Sequence, residues 1–412
     1  MSLRVVVIGG GVIGRAAAVR LLDAGNRVTL LDQPSDRLHA SQGNAGHIGI
    51  EQTAPLSSWS TIRSLPNRLY GKSGVLALPL NGAGSWLPWG LRFLRASSPR
   101  RFEAGRAAMT ELLSEAITAW RKLLAIAGAP ELLVQSGHFI LCESSRSLNS
   151  MIKDLQHEPA GQAIWAPLTA DRLKAIADPL KVPFVGGVGY VNTGQIASLG
   201  RMMQALADTI QAKGGEMLAV RAAAVLPVGR GARVQLHDAP PIDADIALVT
   251  AGVESGALLR PLGYSVPLIA ERGYHLETDL PPGPTAPPIL FFDRSVVCTK
   301  FTSSIRVTSV TEFTRHDAPP DPRHWQRLLR HVRELGLPFG EQPRQWHGSR
   351  PSLPDFLPAI GRLERWPQIA YAFGHHHAGL TLAGQTAELV VRTLEGTAAL
   401  HGPPALRIER FT

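Results

Sequence analysis

The sequence predicts an α/β protein built around a Rossmann-like dinucleotide-binding domain, and three stretches carry that prediction. "RVVVIGGGVIG" runs an apolar strand, Val5 to Ile8, into Gly9, Gly11 and Gly14 at G-x-G-x-x-G spacing before a helical apolar pattern. A second strand, Val28 to Leu31, ends at Asp32, 18 residues after Gly14. Much later, "DADIALVTAG" supplies another apolar strand that ends in Ala251 and Gly252. A glycine triplet alone is a weak signal, whereas strand, turn, helix and acid in that order make a strong one.

Each element has a physical task. Gly9 permits the tight turn, Gly11 lets a pyrophosphate approach the backbone, and Gly14 lets the helix pack on the strand. Val12 and Ile13 open that helix, whose N-terminus stabilises phosphate charge. Asp32 stands where a carboxylate accepts bonds from ribose hydroxyls, and it disfavours a 2′-phosphate, so NADP is not expected. After the second strand an NAD enzyme normally continues into its next βαβ unit. Here the small-residue loop "HASQGNAGHIG", residues 39–49, follows instead and allows close approach to a flat ring. "LADTIQAKGGEMLAVRAAAVLPV" then reads as a helix ending at Gly214 and Gly215, followed by short strands; Val225 is a candidate neighbour of an adenine or an ordinary core valine. The dinucleotide domain is thus assembled from separated pieces of chain.

Composition sets the outer bounds. The 412 residues suffice for two or three domains, and 44% apolar residues suffice for real cores. The net charge of +9 comes largely from dispersed arginines without a lysine-rich run, so a nucleic-acid partner is not expected. Cys142 and Cys298 are too few for a disulfide framework or a thiolate metal site. No apolar run reaches the roughly 18 residues needed to span a bilayer, and "MSLRVVVIGG" passes straight into a strand. A cytoplasmic, at most membrane-peripheral, location is the expectation.

Near the other end, "FGHHHAGLTLAG" (373–384) places three histidines in a row. Neighbouring side chains point to opposite faces of a strand or fan out around a helix, so the three rings do not converge on one ion and no metal is expected. The glycines and the helical pattern from Thr381 to Val391 suggest a backbone loop feeding a helix N-terminus. "GSRPSLPD" sets Arg350 on a proline-flanked segment, where a guanidinium binds a carboxylate through two parallel bonds. In "ERGYHLE" (271–277), Tyr274 and His275 alternate along a strand, with Tyr274 the favoured pocket residue and a buried structural tyrosine the alternative. "ILFFDRSVVCTKF" (289–301) reads as paired strands around a turn near Asp293 and Arg294, and residues 103–127 read as one long helix. "GSWLPWGLRFLRASSPRR" (84–101) combines an apolar face with arginines, which suits either an anionic membrane surface or a helix packed over the active site.

Taken together, the glycine fingerprint, "SQGNAGHIG", "DADIALVTAG", "ERGYHLE", "WHGSRPSLPDFLPAIG" and "YAFGHHHAGLTLAG" stand in an order that resembles the D-amino-acid dehydrogenase branch of the D-amino-acid oxidase and glycine oxidase family of FAD enzymes. The resemblance implies non-covalent FAD and a substrate domain, built on a large antiparallel sheet, inserted twice into the FAD-binding domain. That places the FAD-binding domain at residues 1–52, 186–255 and 345–412, and the substrate domain at 53–185 and 256–344. Cofactor contacts are implied for Ser41, Asn44, Ala45, Gly46 and His47 and for Gly374, His375, His376, Gly379, Leu380 and Thr381, with the last helix aimed at the flavin. Arg350 is implied to hold the substrate carboxylate and His377 to face the amine, while His376 stands where relatives often carry glycine. The implied reaction oxidises a D-amino acid, or a cyclic amine such as D-proline or cis-4-hydroxy-D-proline, to an imino acid by hydride transfer from Cα to flavin N5. Electrons then pass to a quinone or another respiratory acceptor. The rivals are an oxygen-using glycine or sarcosine oxidase, a tRNA-modifying flavoprotein and an NAD-linked dehydrogenase.

Overall fold

Val5, Val6, Val7 and Ile8 are all buried, the signature of a parallel strand covered on both faces. In the computed structural model, which describes residues 2–33, 40–70, 74–157, 160–396 and 403–411, this strand, Arg4–Ile8, is parallel to Arg27–Leu31 on one side and Ile246–Val249 on the other. His39, at the head of the small-residue loop, lies outside the described residues. The sheet has six strands in the order Glu216–Leu218, Arg27–Leu31, Arg4–Ile8, Ile246–Val249, Ile369–Phe373, Ala359–Arg362, of which only the last runs antiparallel to its neighbour. Its strands therefore come from separated stretches of chain.

Small residues set the packing on one face of this sheet. The helix Val12–Asp23 buries Ala16, Ala17 and Ala18 completely and packs against the helices Leu199–Ala212 and Gly379–Glu395. A Cβ on Gly384 would sit 2.8 Å from the backbone of Ala119, so the helix Ala116–Ile126 crosses the last helix at close range. That crossing brings the indole of Trp120 to donate to the carbonyl of Leu380 at 2.8 Å. Arg20 is buried in the first helix and donates to Glu388 at 2.6 Å, the partner such a buried charge requires.

The second sheet has nine strands along the path Arg344–Ser352, Ile269–Asp279, Ser304–Thr314, Val296–Lys300, Ala286–Phe291, His138–Cys142, Gly186–Tyr190, Trp165–Pro167, with Leu76–Ala77 added beside Ser304–Thr314. It is mainly antiparallel, with parallel pairing at two joints. Gly186–Tyr190 and Arg344–Ser352, which the sequence-based division assigns to the nucleotide domain, pair inside this large sheet. The hairpin around Asp293 and Arg294 forms as expected between Ala286–Phe291 and Val296–Lys300. The long helix expected over 103–127 is two helices, Pro99–Ser114 and Ala116–Ile126, separated at Glu115, where the backbone adopts φ −101°, ψ 0°.

Candidate active site

Alternation along the central strand Ile269–Asp279 decides which side chains reach the cleft between the sheets. Arg272, Tyr274 and Leu276 face the helix Pro322–Leu335, which buries Trp325, Leu328, Val332 and Leu335. Glu271, Gly273, His275 and Glu277 face the other way. Directly opposite them on the neighbouring antiparallel strand stand Arg350 against Glu271, Gly348 against Gly273, and Trp346 against His275. Directly opposed residues share a face, so Glu271, Gly273 and His275 back the lining residues Arg350, Gly348 and Trp346 through one ladder of cross-strand pairs.

Arg350 is anchored by that register. Its Nη1 donates to Glu271 Oε1 at 3.2 Å, and Glu271 Oε2 accepts from Ser352 Oγ at 2.5 Å. A Cβ on Gly273 would lie 2.4 Å from Arg350 Nη2, so glycine there is what lets the guanidinium lie across the strand. Trp346 similarly occupies space left by Gly43 and Gly348, with its Nε1 buried and unpartnered. Its ring stacks on His275 at 4.8 Å, and the His275 Nδ1 pairs with the carbonyl of Gly43 at 3.2 Å. Burial, with Arg306 nearby, pushes the His275 imidazole down to about 2, so the ring is neutral. Arg306, on Ser304–Thr314, spans from Glu277 at 2.9 Å to the carbonyl of Gln42 at 3.0 Å and that of Asn44, and so fastens the small-residue loop to the large sheet.

The nucleotide end is built by backbone. Gly9 has φ +114°, and a Cβ on Gly14 would lie 1.9 Å from the Gly9 carbonyl oxygen, so the strand-to-helix contact admits no side chain. A Cβ on Gly11 would meet only Ser41 Oγ at 3.5 Å, leaving its cleft side open. Ser41 Oγ accepts from the amide of Val12 at 3.0 Å, and Gly46, with φ +77°, donates to Asn44 Oδ1 at 2.8 Å. Asp32 is held by Arg15 at 3.3 Å.

The three histidines do separate things. His375 Nε2 bonds Thr386 Oγ1 at 2.9 Å, and His377 Nε2 bonds Gln52 Oε1 at 2.9 Å. His376 takes φ +43° and brings its Nδ1 to 3.1 Å from that of His377. The amide of Ala378 donates to the same Nδ1 at 3.4 Å, which assigns the proton of a neutral His376 to the buried Nε2. Burial holds His375 at about 3, His376 well below the ordinary imidazole value and His377 below it, so all are neutral near pH 7. The helix Gly379–Glu395 starts just beyond without a side-chain cap.

A continuous cleft of about 650 Å³ joins these parts. Gly9, Gly11, Val12, Ile13, Asp32, Ser41, Asn44, Ala251, Gly252, His375, His376, Gly379, Leu380 and Arg350 line it. Gly14, Ala45, Gly46, His47, Gly374 and Thr381 support the lining loops instead; Thr381 Oγ1, for example, accepts from the amide of Gly49 at 3.2 Å. Three expectations need correction. Val225 is fully buried in a core cluster, and Val220 to Ala223 line the cleft in its place. Tyr274 lies on the helix face, donating to Glu312 Oε2 at 2.6 Å and accepting from the amide of Asp321 at 3.1 Å. His376 rather than His377 lines the cleft, because the left-handed turn at His376 carries it inward while His377 is held by Gln52. Sequence reading missed Glu271, Gly273, Trp346 and Arg306; the first three were inside quoted blocks, but only strand register joins them to Arg350.

Fold and cleft define a dinucleotide-binding oxidoreductase with an arginine-lined pocket opposite the fingerprint. The profile of FAD-dependent oxidoreductases known as DAO matches residues 4–393, and the chain belongs to that family. It is 29% identical over 403 residues to a D-amino-acid oxidase of Bradyrhizobium diazoefficiens, covering 95% of each chain. It is 26% identical over 427 residues to a D-amino acid dehydrogenase of Cereibacter sphaeroides, covering 99% of this chain and 95% of the relative. Among solved structures, glycine oxidase from Geobacillus kaustophilus superposes with a TM-score of 0.74 at 17% identity, covering 99% of both chains. Iminodiacetate oxidase from Chelativorans sp. BNC1 does so with 0.73 at 19%, covering 99% of this chain and 98% of the other.

The residues present fit FAD. The open backbone at Gly11, the helix start at Val12 and the carboxylate of Asp32 would supply anion and ribose contacts, along one cleft that Trp346 and His376 also line. Cys142 and Cys298 are buried and do not line it, so neither offers a covalent link.

Proposed function

We propose that this FAD-dependent oxidoreductase dehydrogenates D-amino acids, with Arg350 binding the substrate carboxylate. The observation that carries the reading is the Arg350–Glu271 pair on the cleft wall, 3.2 Å apart, in the same continuous cleft as the fingerprint. Glu271 is buried and orients the guanidinium from one side, leaving the other nitrogens for a ligand. Bound FAD supplies the two-electron acceptor. The chain supplies position: Arg350 fixes the carboxylate, Trp346 limits the side-chain space, and His376 lines the same cleft. Burial keeps His375 and His376 neutral, so neither ring adds a positive charge beside an ammonium substrate. The names of the relatives support D-amino acids as the class. A panel of D-amino acids including D-proline and cis-4-hydroxy-D-proline, assayed with a quinone analogue and separately with oxygen, tests substrate and acceptor together. Turnover of glycine and sarcosine alone would replace this reading with an amine oxidase.

A membrane-borne quinone is the proposed acceptor. Residues 52–102 contain no Asp or Glu but carry Arg63, Arg68, Lys72, Arg92, Arg95, Arg100 and Arg101. The helix Ala83–Ala96 buries Trp89 and Phe93 against Phe313 and Phe356 and leaves Leu87, Leu91 and Leu94 outward, with Leu80 88% exposed just before it. Trp89 Nε1 donates to the carbonyl of Ser352, two residues beyond Arg350, so this helix abuts the arginine strand. Such a surface suits anionic bilayers. Among the described residues no helix is long and apolar enough to cross a membrane. Sedimentation with phosphatidylglycerol vesicles, lost in Leu87→Glu/Leu91→Glu, is expected; no sedimentation at low salt would remove the membrane from the proposal.

A further inference from the structure

Outside the cleft, two imidazoles and a carboxylate converge where the small-residue loop meets the large sheet. His47 Nε2 lies 3.2 Å from Glu51 Oε1, and His138 Nε2 lies 3.9 Å from the same oxygen. One ligand-capable atom from each of the three falls within 4.8 Å of the others. None of the three lines the cofactor cleft.

Their surroundings are those of a held but incompletely satisfied set. His138 Nδ1 is tied to Thr193 Oγ1 at 2.9 Å, and its ring stacks on Tyr190 at 4.4 Å, which leaves Nε2 aimed at Glu51. A hydrogen bond on the outer nitrogen is what orients a metal-binding histidine. Glu51 Oε2 and His47 Nδ1 are buried without a partner. Gln195, which pairs with His47 across the strands and so shares its face, is fully buried with both amide atoms unpartnered. Buried polar groups are nearly always satisfied, so unmet groups on His47, on Glu51 and on the cross-strand neighbour of His47 call for an occupant. Gly49 adds the room: a Cβ there would lie 2.8 Å from both Glu51 Oε1 and His47 Nε2.

We propose that His47, Glu51 and His138 bind a divalent transition-metal ion, zinc by preference, with water or the Gln195 amide oxygen in the fourth position. Two histidines and one carboxylate are a zinc donor set, and the absence of a thiolate is no obstacle to it. The ion ties the strand His47–Ile48, which follows the cofactor loop, to His138–Cys142 of the large sheet. Its role is to brace the loop; it stands apart from the redox chemistry and the proposal does not depend on the substrate.

The test uses the untagged flavoprotein, stripped with a chelator and dialysed. Titration with Zn²⁺ in a calorimeter is expected to show one saturable site per chain with a micromolar or tighter Kd, weakened at least about 30-fold in both Glu51→Gln and His138→Asn, in line with the cost of losing a ligand or its support. Zinc is also expected to raise the unfolding midpoint of the wild type but not of either variant. Should the variants fail to fold, X-ray absorption at the zinc edge of the wild type decides: two imidazoles with oxygen support the site, and a shell without imidazole overturns it. No saturable binding by the wild type, or equal binding by both variants, also overturns it.

Discussion

Arg350→Ala is the substitution whose outcome the structure constrains most tightly. The side chain is to meet a substrate carboxylate through two charge-assisted hydrogen bonds, each worth about 1.5–3 kcal/mol, so about 3–6 kcal/mol of transition-state binding is at stake. At about 1.4 kcal/mol per factor of ten, kcat/KM should fall by about two to four orders of magnitude. Glu271 pushes the result toward the upper end, since it is 3% exposed and loses the cation that pairs with it across 3.2 Å, leaving a buried negative charge facing an anionic ligand. The double variant Arg350→Ala/Glu271→Gln removes that charge and should recover about tenfold of the loss, a coupling on the scale of neighbouring charged residues. Flavin content should be unchanged in both. The assay is anaerobic stopped-flow reduction of the flavin, run in parallel with a carboxylate-free amine of the same side chain. A change in kcat/KM below threefold, or an equal loss for the amine, would remove Arg350 from carboxylate binding.

Four further outcomes follow from the same geometry. Gly14→Ala forces a Cβ against the Gly9 carbonyl, where only backbone could yield, so flavin occupancy after purification should collapse, read as the absorbance ratio of flavin to protein. Asp32→Ala should raise the FAD dissociation constant about tenfold or more, the cost of a lost charged hydrogen bond; full retention after dialysis would count against its ribose role. Tyr274→Phe should cost about 1–2 kcal/mol in denaturant unfolding, because the hydroxyl serves Glu312 and Asp321 in the core, yet leave kcat/KM within twofold. Buried His275 and His375, at about 2 and about 3 when folded, take up protons only on unfolding as pH falls below their ordinary value near 6.5. Stability should therefore be complete above that pH and decline below it, by up to about 1.4 kcal/mol per pH unit for each histidine, measured as urea midpoints from pH 7 to 5.

What the sequence disclosed and what it concealed divide along a physical line. Local backbone requirements were legible: Gly9 and Gly14 must be glycine wherever this turn occurs, Asp32 follows its strand directly, and Arg350 sits on a proline-flanked segment. Cross-strand pairing was not. Glu271 is 79 residues from Arg350 and meets it only because Ile269–Asp279 and Arg344–Ser352 pair in one register. Tyr274 misled because this sheet is covered on both faces, so alternation separates two buried sides without naming the one that borders the cleft. The choice between His376 and His377 turned on a single left-handed residue, φ +43° at a position where a non-glycine is unusual. For Val225 the core alternative holds, since which residues of this segment line the cleft depends on where the chain leaves the strand Glu216–Leu218. The proposed metal site was invisible because His138 joins His47 and Glu51 from 87 residues beyond Glu51, on a strand of the large sheet.

The most direct test of the central claim is the visible spectrum of the purified protein under anaerobic conditions, before and after addition of D-amino acids, D-proline included, and of their L-enantiomers. A flavin band at about 450 nm is expected to bleach with D- but not L-substrates, the sign of two-electron reduction of the bound cofactor. A flavin that no D-amino acid reduces would contradict it.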